Sequence, residues 1–289
     1  MTRSLAHMLP DGRRLHLQDG PIDLVIGADG PLQEIARAYD AARVRFSTIL
    51  DELCAELSLL RQPSGVKPRG AVARRMWRAT LVHARQNFIT PMAAVAGAVA
   101  EEVLSAMVAS ASLGRAYVNN GGDIALHLSP PCEFHVGLAD RPGRPSLFAQ
   151  TRIRWSDPVR GIATSGWRGR SFSLGIADAV TVLAATASTA DAAATLIANA
   201  VDLPGHPAVT RIPANEIQPD NDLGPRLVTR GVGPLSKIEI DAALDRGTSA
   251  AQAMIGGGVI AACALHLAGV TRTLGNARSE DTMRLAANA

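Results

Sequence analysis

The 289 residues are 47% hydrophobic and 19% charged, which excludes a disordered chain and leaves ample apolar material for a core. Aromatic residues make up only 3%, too few for platforms that stack unpaired bases, so no nucleic-acid partner is expected. The formal charge of +3 is mildly basic, and Cys54, Cys132 and Cys263, far apart with no CxxC pair or zinc spacing, read as reduced thiols of a cytoplasmic protein.

Residues 1–14 mix Arg, His, Pro and Asp and lack the apolar core of a signal peptide. Residues 13–18 and 22–26 flank Asp19-Gly20-Pro21 and predict a hairpin. From Leu32 to Leu60 apolar residues recur in threes and fours, the pattern of one long amphipathic helix whose stripe suits either the core or a homodimer interface. Residues 62–70, rich in proline and glycine, read as a linker, and 74–86 as a second helix. Lys67, Arg69, Arg74, Arg75, Arg78 and Arg85 cluster here, first as a solvated helix face and second as a seat for an anion such as phosphate.

Thr90-Pro91 is a helix start, with Thr as N-cap and Pro in the first turn, and the small-residue helix behind it runs to about Ala109. Strands are expected around Tyr117 and over residues 124–128, 134–138, 147–153, 160–163 and 172–185. Thr189 is read as the cap of another small-residue helix reaching Val201. A proline-rich stretch, a strand over 227–232, a helix from Lys237 and a final helix-turn-strand complete the chain. The uncharged run from 246 to 272 is broken by Gly256-Gly257-Gly258, so a membrane span is not expected. Helices and strands fall in blocks, which predicts an α+β fold with mostly antiparallel sheets packed with helices. The whole of 1–289 is read as one domain, subdivided into 1–61, 71–203 and 204–289.

Three constellations carry chemistry. Asn119-Asn120-Gly121-Gly122-Asp123, between apolar runs, is a hairpin signal first and a place where a ligand could approach bare backbone second. Thr164-Ser165-Gly166, followed by Arg168 and Arg170, reads as a Ser-Gly turn first and a holder of phosphate second. Asp191 and Thr195, one helical turn apart, are hard oxygen donors that suit magnesium, or else an acid near a helix start and a threonine bonded back to a carbonyl. Asp178, in an otherwise apolar stretch, needs a partner or a function. There is no Walker A loop, GxGxxG or GxSxG, which argues against ordinary nucleotide, dinucleotide or serine-hydrolase chemistry.

Order and wording together resemble the ApbE family, the FAD:protein FMN transferases. Residues 117–124 resemble its "LVNxGGDI", Phe134 to Asp140 its "W-x-V-G-I-x-D", and 162–166 its "ATSG". Residues 180–184 resemble its "VTVxA", and 190–195 its "ADALAT". The resemblance spans roughly residues 91–201. It implies an ApbE-like, T-fold-related architecture with a ligand cleft between two subdomains, magnesium on Asp191 and Thr195, and FAD or FMN as cofactor. Asn120, Gly121, Gly122, Asp123, Thr164, Ser165, Gly166, Arg168 and Arg170 would then bind the phosphorylated cofactor, and Asp178 would be the carboxylate available for proton transfer. The chain departs from the family pattern at 96–101, which lacks the lysine of "KGYAVD", at Trp167-Arg168 in place of "DYxR", and in a missing "HIIDPxTG" loop. Three readings follow: a magnesium-dependent, phosphate-handling transferase-like enzyme, a flavin-binding module or biosynthetic subunit without activity, or a structural partner whose cleft is vestigial.

Overall fold

The computed structural model describes residues 4–63, 65–139, 147–275 and 284–285. In chain order, β1 (Leu5–Met8), β2 (Leu15–Asp19) and β3 (Ile22–Asp29) precede α1 (Leu32–Ala55), α2 (Leu57–Leu60) and α3 (Ala71–Leu81). A 3-10 turn over Pro91–Ala94 leads into α4 (Val95–Ser110). Next come β4 (Arg115–Asn120), β5 (Asp123–Leu128), β6 (Glu133–Ala139), β7 (Leu147–Arg154), β8 (Gly161–Ser165) and β9 (Ala179–Ala184). Last are α5 (Ala187–Ala200), β10 (Val209–Pro213), α6 (Ala214–Ile217), β11 (Leu227–Val232), α7 (Lys237–Gly256), β12 (Ala262–Leu267), β13 (Val270–Gly275) and β14 (Arg284–Leu285). The strand pairings recorded between these elements are antiparallel, as expected.

Several expectations need correction. The long helix is interrupted at Glu56, whose backbone leaves helical geometry (φ −114, ψ 12). Its carboxylate instead accepts the N–H groups of Arg69 and Gly70, each at 2.6 Å, and so caps α3. α3 stops at Leu81 rather than 86. Thr90 occupies a cap position without a side-chain cap bond, and a 3-10 turn rather than an α-turn follows it. Thr189 lies inside α5, and Thr186 is the capping hydroxyl, accepting from Thr189 N at 3.3 Å. The strand foreseen over 172–185 shrinks to β9, because residues 172–178 form a loop. β1, β10, β13, β14 and the short α6 are not foreseen in the sequence.

The chain clusters into two compact units, each assembled from separated stretches. Met1–Phe134, Ile153–Ala163 and Ala184–Ala192 form the first; His135–Arg152, Thr164–Leu183 and Ala193–Ala289 form the second. In the first, strands neighbour one another in the order β1-β2-β3-β4-β5-β8. Alternation puts Leu15, Leu17, Ile22, Leu24 and Ile26 on the buried face. α1 packs there with Tyr39, Phe46, Ile49 and Leu53 and also lies against α4. Each such side chain contributes about 1.5–3 kcal/mol by leaving water. α4 covers β4 and β5 with Val99, Val103 and Met107. The 20 residues from Pro91 to Ser110 are long and apolar enough to cross a bilayer by length and composition; here they pack against sheet and helices.

The second unit holds the run β9-β12-β13, with α7 against β12 and β13. β9 and β12 are buried along their whole length, which explains why neither shows a two-residue alternation in sequence. α7 ends on Gly256, and Gly257 and Gly258 make the expected turn toward β12, with Gly258 at φ +68.

Candidate functional site

The first unit gathers the amide, glycine and acid residues. Asn120 pairs with Asp123 across the β4–β5 hairpin, and Gly121 and Gly122 take φ of +66 and +115. Only glycine adopts that pair of angles freely, so the hairpin reading of this segment holds. Gly122 N donates to Asn119 Oδ1 at 2.9 Å, and the buried Asn120 donates from Nδ2 to the carbonyl of Ala96 at 3.2 Å. The hairpin is thereby pinned to the first turn of α4.

That first turn points at Asp191. Gly97 N donates to Asp191 Oδ2 at 3.0 Å, using a donor that the helix itself leaves unpaired. The favour is returned by α4: Glu101 Oε1 accepts the N–H of Ser188, in the first turn of α5, at 2.6 Å. Each helix start thus donates to a carboxylate from the second turn of the other. The exchange demands glycine at 97, because a Cβ there would stand 2.3 Å from the carbonyl oxygen of Ala187. In sequence, residues 96–101 stand out only as part of a small-residue helix and for the missing lysine. The roles of Gly97 and Glu101 depend on a contact nearly a hundred residues away.

Asp191 is half-buried as a residue, and its carboxylate is enclosed by dense protein. Its pKa is raised well above the usual carboxylate range, first by desolvation and then by the charge of Asp123. The N–H groups of Gly97 and Ala96 oppose the rise without cancelling it, and Glu101 adds to it. Asp191 and Asp123 therefore form an acidic pair of hard oxygen donors that a divalent cation would stabilise. Among the described residues, no group of three or more His, Cys, Asp and Glu side chains is placed to hold a metal alone. A cation at Asp191 would draw its other ligands from hydroxyls, carbonyls or a bound phosphate. Thr195 follows Asp191 by one turn of α5 and is half-buried in the second unit.

The second unit gathers the remaining candidates around Asp178. This residue is 6% exposed and lies in the loop before β9, not within a strand as expected. Its Oδ1 accepts from Trp167 Nε1 at 3.1 Å and Arg168 Nε at 2.5 Å, and its Oδ2 accepts from Ala268 N at 2.7 Å. Ala268 has φ +48, a conformation an alanine adopts at a cost, and the bond to Asp178 holds it. Of the two readings for Asp178, the partner is found. Arg168 is committed too, its guanidinium lying 4.4 Å over the ring of Trp167. Gly166 lets this segment approach, since a Cβ there would meet the Asp178 carbonyl at 2.5 Å. Thr164 Oγ1 lies 2.9 Å from Thr181 Oγ1. Ser165 is half-buried at the end of β8, and Arg170 is exposed. Asp140, from the second resembling segment, falls outside the described residues.

Comparison with known proteins adds the family context. A family model described as "AbpE bacteria" matches residues 6–274. A "UPF0280 protein" of Methanosarcina acetivorans is 34% identical over 194 residues, 65% of this chain and 72% of that protein. A namesake from Methanococcoides burtonii is 41% identical over 130 residues, 42% of this chain but only 49% of its own length. Among solved structures, an apo flavinyl transferase ApbE of Pseudomonas stutzeri is matched over 96% of each chain, at 12% identity and a TM-score of 0.40.

Proposed function

Because the chain belongs to the AbpE bacteria family, an ApbE-like family, we propose that it binds a flavin nucleotide, FAD or FMN, with magnesium at Asp191. The observation that carries this reading is the half-buried Asp191, whose carboxylate is desolvated and feels the charge of Asp123. The donor chemistry fits: carboxylate oxygens from Asp191 and Asp123 and the Thr195 hydroxyl are the hard ligands magnesium takes, with phosphate oxygens of the nucleotide completing its shell. When bound, the ion would neutralise charge on the phosphates and make phosphorus more open to attack. The chain's own residues set the stage for it. The Gly97 N–H orients Asp191, Glu101 holds the start of α5, and the Gly121-Gly122 turn leaves main chain uncovered for close approach.

The flavin part of the reading rests on the five family-like segments between 117 and 195. Transfer chemistry is the natural extension, yet one observation favours a binding module without transfer: Asp178, the carboxylate proposed for proton transfer, has both oxygens engaged in holding Trp167, Arg168 and Ala268. Thermal denaturation with FAD, in magnesium and in chelator, tests the binding. The wild type is expected to be stabilised only by FAD and magnesium together, and Asp191→Ala to lose that stabilisation. An Asp191→Ala protein stabilised as fully as wild type would sink the metal assignment. Release of AMP from FAD separates the enzyme from the binding module.

A further inference from the structure

Helix α3 carries Arg74, Arg75 and Arg78 and no acidic residue. Arg75 is committed inside the fold, donating to Glu101 Oε2 at 3.0 Å, to Glu102 Oε2 at 3.0 Å and to Ser105 Oγ at 3.1 Å. The other oxygen of Glu102 is taken by Arg45 Nε at 2.9 Å. Arg74 and Arg78, one turn apart, and Lys67 from the preceding loop have no carboxylate partner among the described residues. These four cations, with Ala71 and Glu102, line an open basin of about 370 Å³.

The walls of the basin are fixed. Trp77 Nε1 donates to the carbonyl of Gly65 at 3.1 Å, and the N–H groups of Arg69 and Gly70 are held by Glu56, so the segment bearing Lys67 is tied on both sides. Like charges one turn apart on a helix repel, and a concavity lined by unpaired cations keeps a standing positive potential. Both favour an anion. A monophosphate carries about two negative charges at neutral pH, fewer than the three free cations. A diphosphate group offers more charge and two sets of oxygens to the forked guanidiniums. No aromatic side chain lines the basin, so a stacked base is not part of what it recognises.

We propose that the basin formed by Lys67, Arg74, Arg75 and Arg78 is a binding site for a diphosphate group, free or carried on a nucleotide. None of its lining residues is among the proposed metal ligands, and it needs no metal. Calorimetric titration of the full chain at low salt, in chelator, uses inorganic diphosphate, orthophosphate and ADP as probes. Diphosphate is expected to bind at least tenfold more tightly than orthophosphate. ADP binding equally well marks a nucleotide as the source, and diphosphate alone binding marks the free ion. Arg74→Gln with Arg78→Gln should weaken diphosphate at least tenfold, and the single exposed Lys67→Gln severalfold. The charge-matched pair Arg230→Gln with Arg246→Gln, and Asp191→Ala, should leave it unchanged. Equal losses in both paired variants, orthophosphate binding as tightly, loss in Asp191→Ala, or no heat at millimolar diphosphate would each overturn the proposal.

Discussion

Asp178 and Asp191 both accept backbone N–H groups, but their surroundings set them different tasks. Asp178 gives its oxygens to an indole, a guanidinium and the N–H of a residue at positive φ, so it acts as a fastener between the segment after β8 and the β12–β13 turn. Asp191 receives N–H donors too weak to offset its desolvation and the neighbouring charge of Asp123. The sequence could not separate them. It offers two acids in apolar company, and what distinguishes them is whether a cation faces the carboxylate, which in each case depends on residues distant along the chain or on loop geometry. Replacing Asp178 by Asn keeps the size and one acceptor but removes the charge that Arg168 faces. The expected loss is about 1.5–3 kcal/mol of stability, the range for hydrogen bonds to charged groups, with flavin binding retained. Urea denaturation with a flavin titration on the same variant checks both. Lost binding at unchanged stability would restore Asp178 to the chemistry.

The elements most legible in sequence are those whose signals are local. The β4–β5 hairpin rests on Gly121 and Gly122, and α7 begins with a capping box: Ser236 accepts from Glu239 N at 3.3 Å while Glu239 Oε2 accepts from Ser236 N at 2.6 Å. The illegible boundaries are those set by distant partners. Glu56 leaves its helix to cap α3, and residues 172–178 abandon the strand pattern as Asp178 and Gly166 fasten the segment after β8. The α7 cap also yields a pH signature. Glu239 is lowered to about 2, mainly by the Ser236 N–H and then by His206, whose Nε2 lies 2.8 Å from Glu239 Oε1. A carboxyl whose folded pKa is depressed contributes stability above its unfolded pKa, about 4.5, and that contribution fades as pH falls through about 2. The gap in denaturation midpoint between wild type and Glu239→Gln should therefore close between about pH 4.5 and 2. A gap of unchanged size at the acid end would mean that the cap owes nothing to the charge.

At the scale of the molecule, the expectation of an α+β fold with antiparallel sheets is met, because the order of strand and helix blocks is written in the periodicities themselves. The grouping into two units was not legible: each is assembled from stretches that the chain leaves and re-enters, and a helix such as α5 shows no change of composition where one unit gives way to the other. The thiols can report on how the second unit is held together. Cys263 lies in β12 between β9 and β13, is fully buried, and has its pKa pushed up to about 12 by desolvation. The thiolate is the reactive species, so in the native state this group is doubly protected, by access and by ionisation. Cys54, by contrast, is exposed. In a variant with Cys54→Ser and Cys132→Ser, a thiol reagent at neutral pH should therefore find nothing to label until β12 is released. Because β12 is a central strand buried along its whole length, its release belongs to the high end of the range of opening free energies. The urea dependence of labelling should coincide with that of the far-ultraviolet dichroism. Labelling that runs ahead of the dichroism would show that the sheet around β12 opens before the rest of the molecule unfolds.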